Sequence, residues 1–151
     1  MIQIKCPTSS SIITNDFYLD IYDKIQGYVY RPLILLKSQL TKYSKIASLG
    51  VGNVGDSQKR YIYMQIVSTN GLVAENLPER IVRFGTTNFP LGFYDAIIYK
   101  NTSNDNMDIS GLSVVYNGLA HVTGETTAVS PVKYSEYTTN DSDTESVYIT
   151  F

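Results

Sequence analysis

The strongest candidate for chemistry in this chain of 151 residues is a glycine-rich segment. Residues Gly50–Gly55 (GVGNVG) have the G-x-G-x-x-G spacing of dinucleotide-binding loops, and Glu75 lies about 20 residues further on, where an acid would bind the ribose. That loop needs a helix after it, because the helix N-terminus holds the pyrophosphate. Residues Tyr61–Val67 instead alternate apolar and polar side chains, which predicts a strand. We therefore expect an ordinary hairpin loop here.

The chain has one histidine and one cysteine. His121 lies between Ala120 and Val122, which predicts a packed or rim residue on a strand. A zinc site built on it would need carboxylates for its remaining ligands, which is unusual, and no nucleophile elbow supports a Ser-His-Asp triad. Cys6 excludes an internal disulfide and a multi-cysteine zinc site. It follows Ile2 and Ile4 in alternation, so we expect a buried or edge-strand side chain.

Two polar segments alternate oxygen-bearing side chains as calcium loops do. They contain Asn104, Asn106, Asp108 and Ser110, and then Asp141, Asp143 and Glu145. Calcium takes more oxygens than this alternation supplies, and the order of an EF-hand is missing. Asx turns explain both segments better, so we predict no cofactor, although calcium in a loop stays open.

The remaining carboxylates give no readable catalytic pair. They are scattered beside predicted strands and turns: Asp20, Asp23, Glu75, Glu79, Asp95 and Glu136. Glycosidase chemistry depends on the separation of two carboxylates in space, which sequence does not give. We expect each of these side chains to be solvated.

Composition and charge favour a soluble domain that binds neither nucleic acid nor membrane. The net charge is −2 and the pI is near 5.3, whereas nucleic-acid binders usually carry a basic stripe. The basic neighbourhood of Lys37, Lys42, Lys45, Lys59 and Arg60 is expected to be a solvated loop surface. No apolar run reaches the length of a membrane span, and the N-terminus does not resemble a signal peptide. Thirteen Tyr with no Trp suit half-buried strands and protein contacts.

Short alternating segments separated by turn residues predict an all-β fold. We expect a single domain over residues 1–151, an antiparallel β-sandwich of about eight short strands, with at most one short helix near Gln39–Ser48. The predicted strands are Phe17–Tyr22, Tyr28–Ser38, Tyr61–Val67, Arg80–Phe84, Phe93–Lys100, Leu112–Tyr116 with Leu119–Val122, Val132–Tyr137 and Val147–Phe151. Pro32 predicts an edge position or a bulge. Asn117-Gly118 fits a tight turn or a bulge, and we favour the bulge.

The C-terminal half resembles a known class of protein. Residues Leu91–Val122 combine a Gly-aromatic-Tyr strand that ends in Ile-Tyr, a loop with Met107-Asp108, and a strand with a central glycine. With the closing segment Ser135–Phe151, they resemble small virion structural proteins of tailed bacteriophages, especially crAss-like and related phages of Bacteroidetes. The likeness runs from Leu72 onward. It implies a β-sandwich capsid accessory, or a neck or tail component, present in many copies and without catalysis.

From this resemblance we expect a non-enzymatic decoration protein on the capsid surface, made in the host cytoplasm and located in the virion. A neck or tail ring component is the alternative, and a carbohydrate- or host-binding module is a further one. The expected partners are the major capsid protein or neck and tail subunits. The candidate contact residues are Asn101, Asn104, Asp105, Met107, Asp108, Tyr148 and Phe151.

Overall fold

The computed structural model describes residues 1–8, 11–20, 31–51, 62–103 and 105–125. These residues form two packed β-sheets, which confirms the predicted all-β, sandwich-like fold. The strands are β1 (Ile2–Cys6), β2 (Ile12–Leu19), β3 (Leu33–Ser38), β4 (Ser44–Ser48), β5 (Gly50–Val51), β6 (Ile62–Thr69), β7 (Ile81–Arg83), β8 (Gly92–Tyr99) and β9 (Val114–Gly124). A 3₁₀ turn covers Leu77–Glu79. The predicted strands Val132–Tyr137 and Val147–Phe151 lie outside the described residues.

The two sheets differ in strand order and direction. Sheet A has the order β1-β9-β8-β3-β4, and only β1 runs parallel to its neighbour within the described part of this sheet. Sheet B is built around β6, which pairs with antiparallel β2 on one side. On its other side β6 pairs with β5 and, further along, with parallel β7. Within the described ranges, no helix has the length and apolar character needed to cross a membrane.

The alternation of the strands places the core between the sheets. β1 buries Ile2, Ile4 and Cys6, as their spacing predicts, and β6 buries every second residue from Ile62 to Ile66. Full burial of one such aliphatic side chain stabilises a fold by about 1.5–3 kcal/mol. Burial also raises the pKa of the Cys6 thiol, which keeps it protonated and inert at neutral pH.

An aromatic cluster closes one end of the core. Phe84, Phe89 and Tyr94 lie with ring centroids 4.6–5.8 Å apart. The Tyr94 hydroxyl donates a hydrogen bond of 2.5 Å to the carbonyl of Pro90. Burial raises the pKa of Tyr94 to about 12. The ammonium group of Lys45 lies 4.4 Å from the centre of the Phe89 ring, so this lysine covers the cluster.

The segment Gln39–Ser48, where the pattern allowed a short helix, forms a turn followed by β4. Lys42 takes a left-handed conformation with φ 66°, and its N–H binds the carbonyl of Ser38, which reverses the chain. Ser44–Ser48 then pairs antiparallel with β3. The long-range pairing with β3 therefore overrides a weak helical spacing.

Pro32 was predicted at an edge or in a bulge, and it lies in neither. It directly precedes β3, whose neighbours are β8 and β4, so β3 is an interior strand. The carbonyl of Pro32 accepts a hydrogen bond from the N–H of Leu49. Proline has no N–H group to donate, and it is tolerated here because it stands at the start of the strand and not within it.

The bulge predicted at Asn117-Gly118 lies instead at Val115, two residues before Asn117. Asn117 and Gly118 pair regularly with Ile97 and Ala96, and the register shifts instead opposite the end of β8, around Val115. Neighbouring residues of a regular strand point to opposite faces, but at this shift both Val115 and Tyr116 pack on the core. A side chain on Gly118 would meet the Tyr116 ring, so glycine makes room for that ring.

Candidate functional site

Five of the seven candidate contact residues belong to the loop 101–111 between β8 and β9, and Asn101 supports this loop from inside. The Asn101 side chain is 3% exposed. Its amide donates to the carbonyls of Ser103 and Asn106 at 2.9 and 3.0 Å, and its oxygen accepts from the Ser103 N–H at 3.2 Å. Asn101 is therefore a supporting residue of the loop and offers little surface to a partner.

The outer part of the loop consists of the predicted Asx turns. Asn106 accepts a hydrogen bond from the Asp108 N–H at 3.0 Å, and Asp108 accepts one from the Ser110 N–H at 2.9 Å. The bonds from Ser110 lower the pKa of Asp108. Asp105 and Asp108 are exposed and Met107 is half-buried, so these residues face outward or lie at the rim.

Three other predicted contact or ligand positions lie outside the described residues: Asn104, Tyr148 and Phe151, together with the acidic segment 141–145. In the described ranges, no three His, Cys, Asp or Glu side chains come together as a metal site.

The glycine-rich segment begins as a strand. Gly50 and Val51 form β5 and pair with β6, and residues 52–55 lie outside the described ranges. A Cβ on Gly50 would overlap the guanidinium group of Arg80, so glycine lets this arginine cross the strand. Glu75, the supposed ribose acid, binds the Lys45 ammonium at 2.6 Å and the Arg83 N–H at 2.8 Å. Its carboxylate therefore has a structural role, and Lys45 is not simply a solvated surface residue.

An open cleft of about 210 Å³ lies beside Gly50. We call it the arginine cleft, and its lining residues include Arg31, Ser48, Gly50, Val51, Pro78 and Arg80. Arg31 lies 3.9 Å from Glu79, a long and exposed ion pair of small energetic value. Arg80 takes a left-handed conformation with φ 63°, which ends the 3₁₀ turn and directs its side chain over Gly50.

The arginine cleft adjoins a polar, aromatic surface on the outside of sheet B, which we call the tyrosine face. Its residues are Asp16, Tyr18, Tyr63, Gln65 and Arg80. Tyr18 and Tyr63 are paired across β2 and β6, with ring centroids 5.3 Å apart and planes inclined by 56°. Tyr18 is 67% exposed.

A chain of hydrogen bonds links the tyrosine face to the arginine cleft. The Asp16 carboxylate accepts from the Tyr63 hydroxyl at 2.6 Å and from the Gln65 amide at 3.1 Å. The Gln65 oxygen accepts from the Arg80 guanidinium at 3.2 Å. The bonds from Tyr63 and Gln65 lower the pKa of Asp16, and Asp16 raises the pKa of Tyr63. Asp16 is thus ionised and Tyr63 neutral at physiological pH.

A second surface lies on the opposite side of the molecule, on the outside of sheet A. We define the outer face of sheet A by Phe93, Val114, Leu119 and His121. Phe93, Val114 and Leu119 are 47%, 51% and 41% exposed. His121 stacks on Phe93 with centroids 4.3 Å apart and planes 8° apart, which confirms that this histidine is packed on a strand.

The sequence did not indicate either surface as a unit. Asp16 and Tyr18 alternate within a segment that is partly a predicted strand, so a shared face could be inferred for them. Their partners Tyr63 and Gln65 come from β6, and Tyr63 and Asp16 are 47 residues apart in the chain. No known protein family, curated protein or solved structure matches this chain.

Proposed function

We propose that this protein is a non-enzymatic structural component of a bacteriophage virion, bound to the capsid surface as a decoration protein. Its partner is the major capsid protein, and binding uses the outer face of sheet A. The support is twofold: the resemblance of residues Leu91–Val122 to virion proteins, and the surface that this segment forms. The proposal is one of contact and not of catalysis.

The observation that carries the proposal is the exposure of large apolar side chains on hairpin β8–β9. Phe93, Leu119 and Val114 project from the same side of the two strands, because their register partners are His121, Asp95 and Tyr99. Half-buried Ile97 and Tyr99 continue this surface toward β3. Protein interfaces combine such an apolar, aromatic centre with a polar rim. Asp95 lies within this surface, opposite Leu119, where its carboxylate accepts a hydrogen bond from the Gln39 amide at 3.0 Å, and Lys37 lies beside it on β3.

The loop 101–111 can extend this interface because hydrogen bonds hold its described residues, 101–103 and 105–111, before binding. The Asn101 side chain binds the carbonyls of Ser103 and Asn106 in the first part of the loop. The Asx turns at Asn106 and Asp108 fix the second part. A preorganised loop loses less conformational entropy on binding than a loose one. Asp105 and Asp108 then offer exposed acceptors to donors on a neighbouring subunit.

Quantitative mass spectrometry of purified particles tests the virion location and separates its two forms. A decoration protein is present in many copies, comparable in number to the major capsid protein. A ring in the neck or tail has a small fixed number. Absence of the protein from purified particles would overturn the proposal altogether.

Electron microscopy of the isolated protein gives an independent answer on the same question. A decoration protein is expected as single molecules or small oligomers in the absence of capsid. Closed rings formed by the purified protein would favour the neck or tail alternative over capsid decoration.

A further inference from the structure

We propose that the tyrosine face and the arginine cleft together form a binding site for an acidic oligosaccharide. This site lies on sheet B and does not depend on the virion role, which uses sheet A. The ligand class follows from three features of the site: an exposed aromatic platform, a fixed row of polar groups beside it, and an excess of positive charge at its far end.

The aromatic platform is the Tyr18–Tyr63 pair. Because Tyr18 is 67% exposed and leans on Tyr63, its free ring face has a defined orientation. A flat, amphipathic ring of this kind stacks on the C–H face of a pyranose while its hydroxyl remains in water. The platform is in place without a ligand, since both tyrosines stand on paired strands.

The polar row supplies directional hydrogen bonds next to the platform. Asp16 already accepts from Tyr63 and Gln65 through one carboxylate oxygen, which fixes its position, and none of the described residues donates to its other oxygen. Gln65 is fixed in turn by Arg80. Sugar hydroxyls both donate and accept, so they suit a row in which acceptors and donors alternate.

The far end of the site favours a negative charge. Among the described residues, two guanidinium groups, those of Arg31 and Arg80, and one carboxylate, that of Glu79, line the arginine cleft. Arg80 donates one hydrogen bond to the side chain of Gln65, which carries no charge and so does not neutralise the guanidinium group. A guanidinium group has five N–H donors in all. Arginine binds carboxylates with paired, charge-assisted hydrogen bonds. This positive end is notable in a chain of net charge −2.

The spacing of these features requires more than one sugar unit. Tyr63 and Gln65 are two residues apart on β6, about 7 Å, and Arg80 lies beyond Gln65 on the side of β5. A sugar stacked on Tyr18 therefore does not reach the arginines by itself. An oligosaccharide with a uronic acid next to the stacked sugar reaches both.

A protein partner fits this surface less well than it fits sheet A. The tyrosine face has its aromatic rings directly beside polar and charged side chains, those of Asp16, Gln65 and Arg80. Acidic residues such as Asp16 are depleted at the centres of protein interfaces, where tyrosine and arginine are enriched. The outer face of sheet A instead exposes three large apolar side chains, those of Phe93, Val114 and Leu119, which a protein partner would cover.

Calorimetry and NMR titration of the full chain with tetragalacturonate test the proposal, with neutral maltotetraose as the comparison ligand. We expect binding of the acidic ligand, weaker binding at high salt, and shifts of the Tyr18 and Arg80 resonances. Tyr18→Ala and Arg80→Gln are each expected to weaken binding about tenfold or more, which corresponds to about 1.4 kcal/mol. Tyr18→Phe keeps the ring and is expected to bind normally.

Matched control variants show whether weaker binding comes from the loss of a ligand contact or from unfolding of the protein. Tyr43→Ala removes an exposed tyrosine at the β3–β4 turn, and Arg83→Gln removes an exposed arginine of β7. Both controls are expected to bind like the wild type, and thermal unfolding shows that all variants are folded. Equal binding of the neutral ligand would overturn the acidic specificity.

Two results would overturn the site itself: no binding of the acidic ligand at millimolar concentration, or equal weakening by the control variants. Loss of self-association in folded Tyr18→Ala would identify the tyrosine face as a protein interface and would also overturn the proposal. None of these outcomes bears on the presence of the protein in particles, so the two proposals fail separately.

Discussion

The side-chain amide of Asn15 binds the main chain of Lys5 as a neighbouring strand would. Its oxygen accepts from the Lys5 N–H at 2.8 Å, and its nitrogen donates to the Lys5 carbonyl at 3.2 Å. The hydroxyl of Ser68 donates to the same carbonyl and lies 3.1 Å from the Asn15 nitrogen. Lys5 lies on β1, the outermost strand of sheet A among the described residues, while Asn15 and Ser68 belong to sheet B. These bonds therefore connect the two sheets through polar groups.

Removing this amide is expected to destabilise the fold. Asn15→Leu leaves the Lys5 N–H without its partner and leaves the Lys5 carbonyl with the Ser68 hydroxyl alone, so it should lower the free energy of unfolding by about 1–3 kcal/mol. Chemical denaturation measures the change. Thr14→Ala, an exposed neighbour on β2, is the control and should change stability by less than about 0.5 kcal/mol. Similar stability of Asn15→Leu and wild type would show that the sheets do not depend on this contact.

Gly118 is expected to tolerate no side chain while Tyr116 is present. A Cβ at this position would lie 2.5 Å from the Tyr116 hydroxyl oxygen and 2.8 Å from its Cζ atom. Gly118→Ala should therefore cost about 1–3 kcal/mol. Gly124→Ala on the same strand is the control, because its Cβ would make only ordinary contacts of 3.7 Å or longer.

A double-mutant cycle with Tyr116→Ser identifies the cause of that cost. If the ring is responsible, Gly118→Ala should cost much less in the Tyr116→Ser background. If Gly118→Ala destabilises both backgrounds equally, the backbone conformation at this position, and not the Tyr116 ring, requires glycine.

Tyr94 is expected to make stability fall at alkaline pH. Its pKa is about 12 in the fold, against an ordinary value of 10.0. The raised pKa means that the folded state holds the proton more tightly than the unfolded state. The stabilisation that protonated Tyr94 contributes is complete below pH 10 and is lost as the pH rises through about 12. The free energy of unfolding should fall by about 3 kcal/mol over this range.

Denaturation of the wild type and of Tyr94→Phe between pH 7 and 12 measures this effect. At pH 7 the variant should be about 1 kcal/mol less stable, because the bond to Pro90 is lost. Between pH 10 and 12 it should lose less stability than the wild type. Parallel curves would exclude Tyr94 as the source.

Asn101 is expected to control the order of the loop 101–111. Asn101→Ala removes the donors to the carbonyls of Ser103 and Asn106, so amide hydrogen exchange within the loop should become faster. Exchange in β1 should not change. Thr102→Ala is the exposed control. Unchanged protection in the Asn101 variant would mean that the Asx turns hold the loop by themselves.

Alternation in the sequence was sufficient to predict the sheet class and most of the strand positions. Cys6 is buried as predicted, because it alternates with Ile2 and Ile4 and a strand repeats every two residues, although β1 was not among the predicted strands. The partners of each strand are a different matter. Residues Ser44–Ser48 form β4 because they pair with β3. The position of the bulge at Val115 follows from how β9 pairs with the end of β8. The tyrosine face requires β2 and β6 to meet, and no local pattern contains that information.

The most direct test of the central claim is rebinding of the purified protein to particles made without it. We predict that the wild type cosediments with these particles. Phe93→Ser with Leu119→Ser, which makes the outer face of sheet A polar, should stay in solution. Leu40→Ser with Tyr43→Ser is the control, since both residues are exposed at the β3–β4 turn, and it should cosediment. Equal cosedimentation of the folded Phe93/Leu119 variant, or no binding by the wild type, would contradict the account.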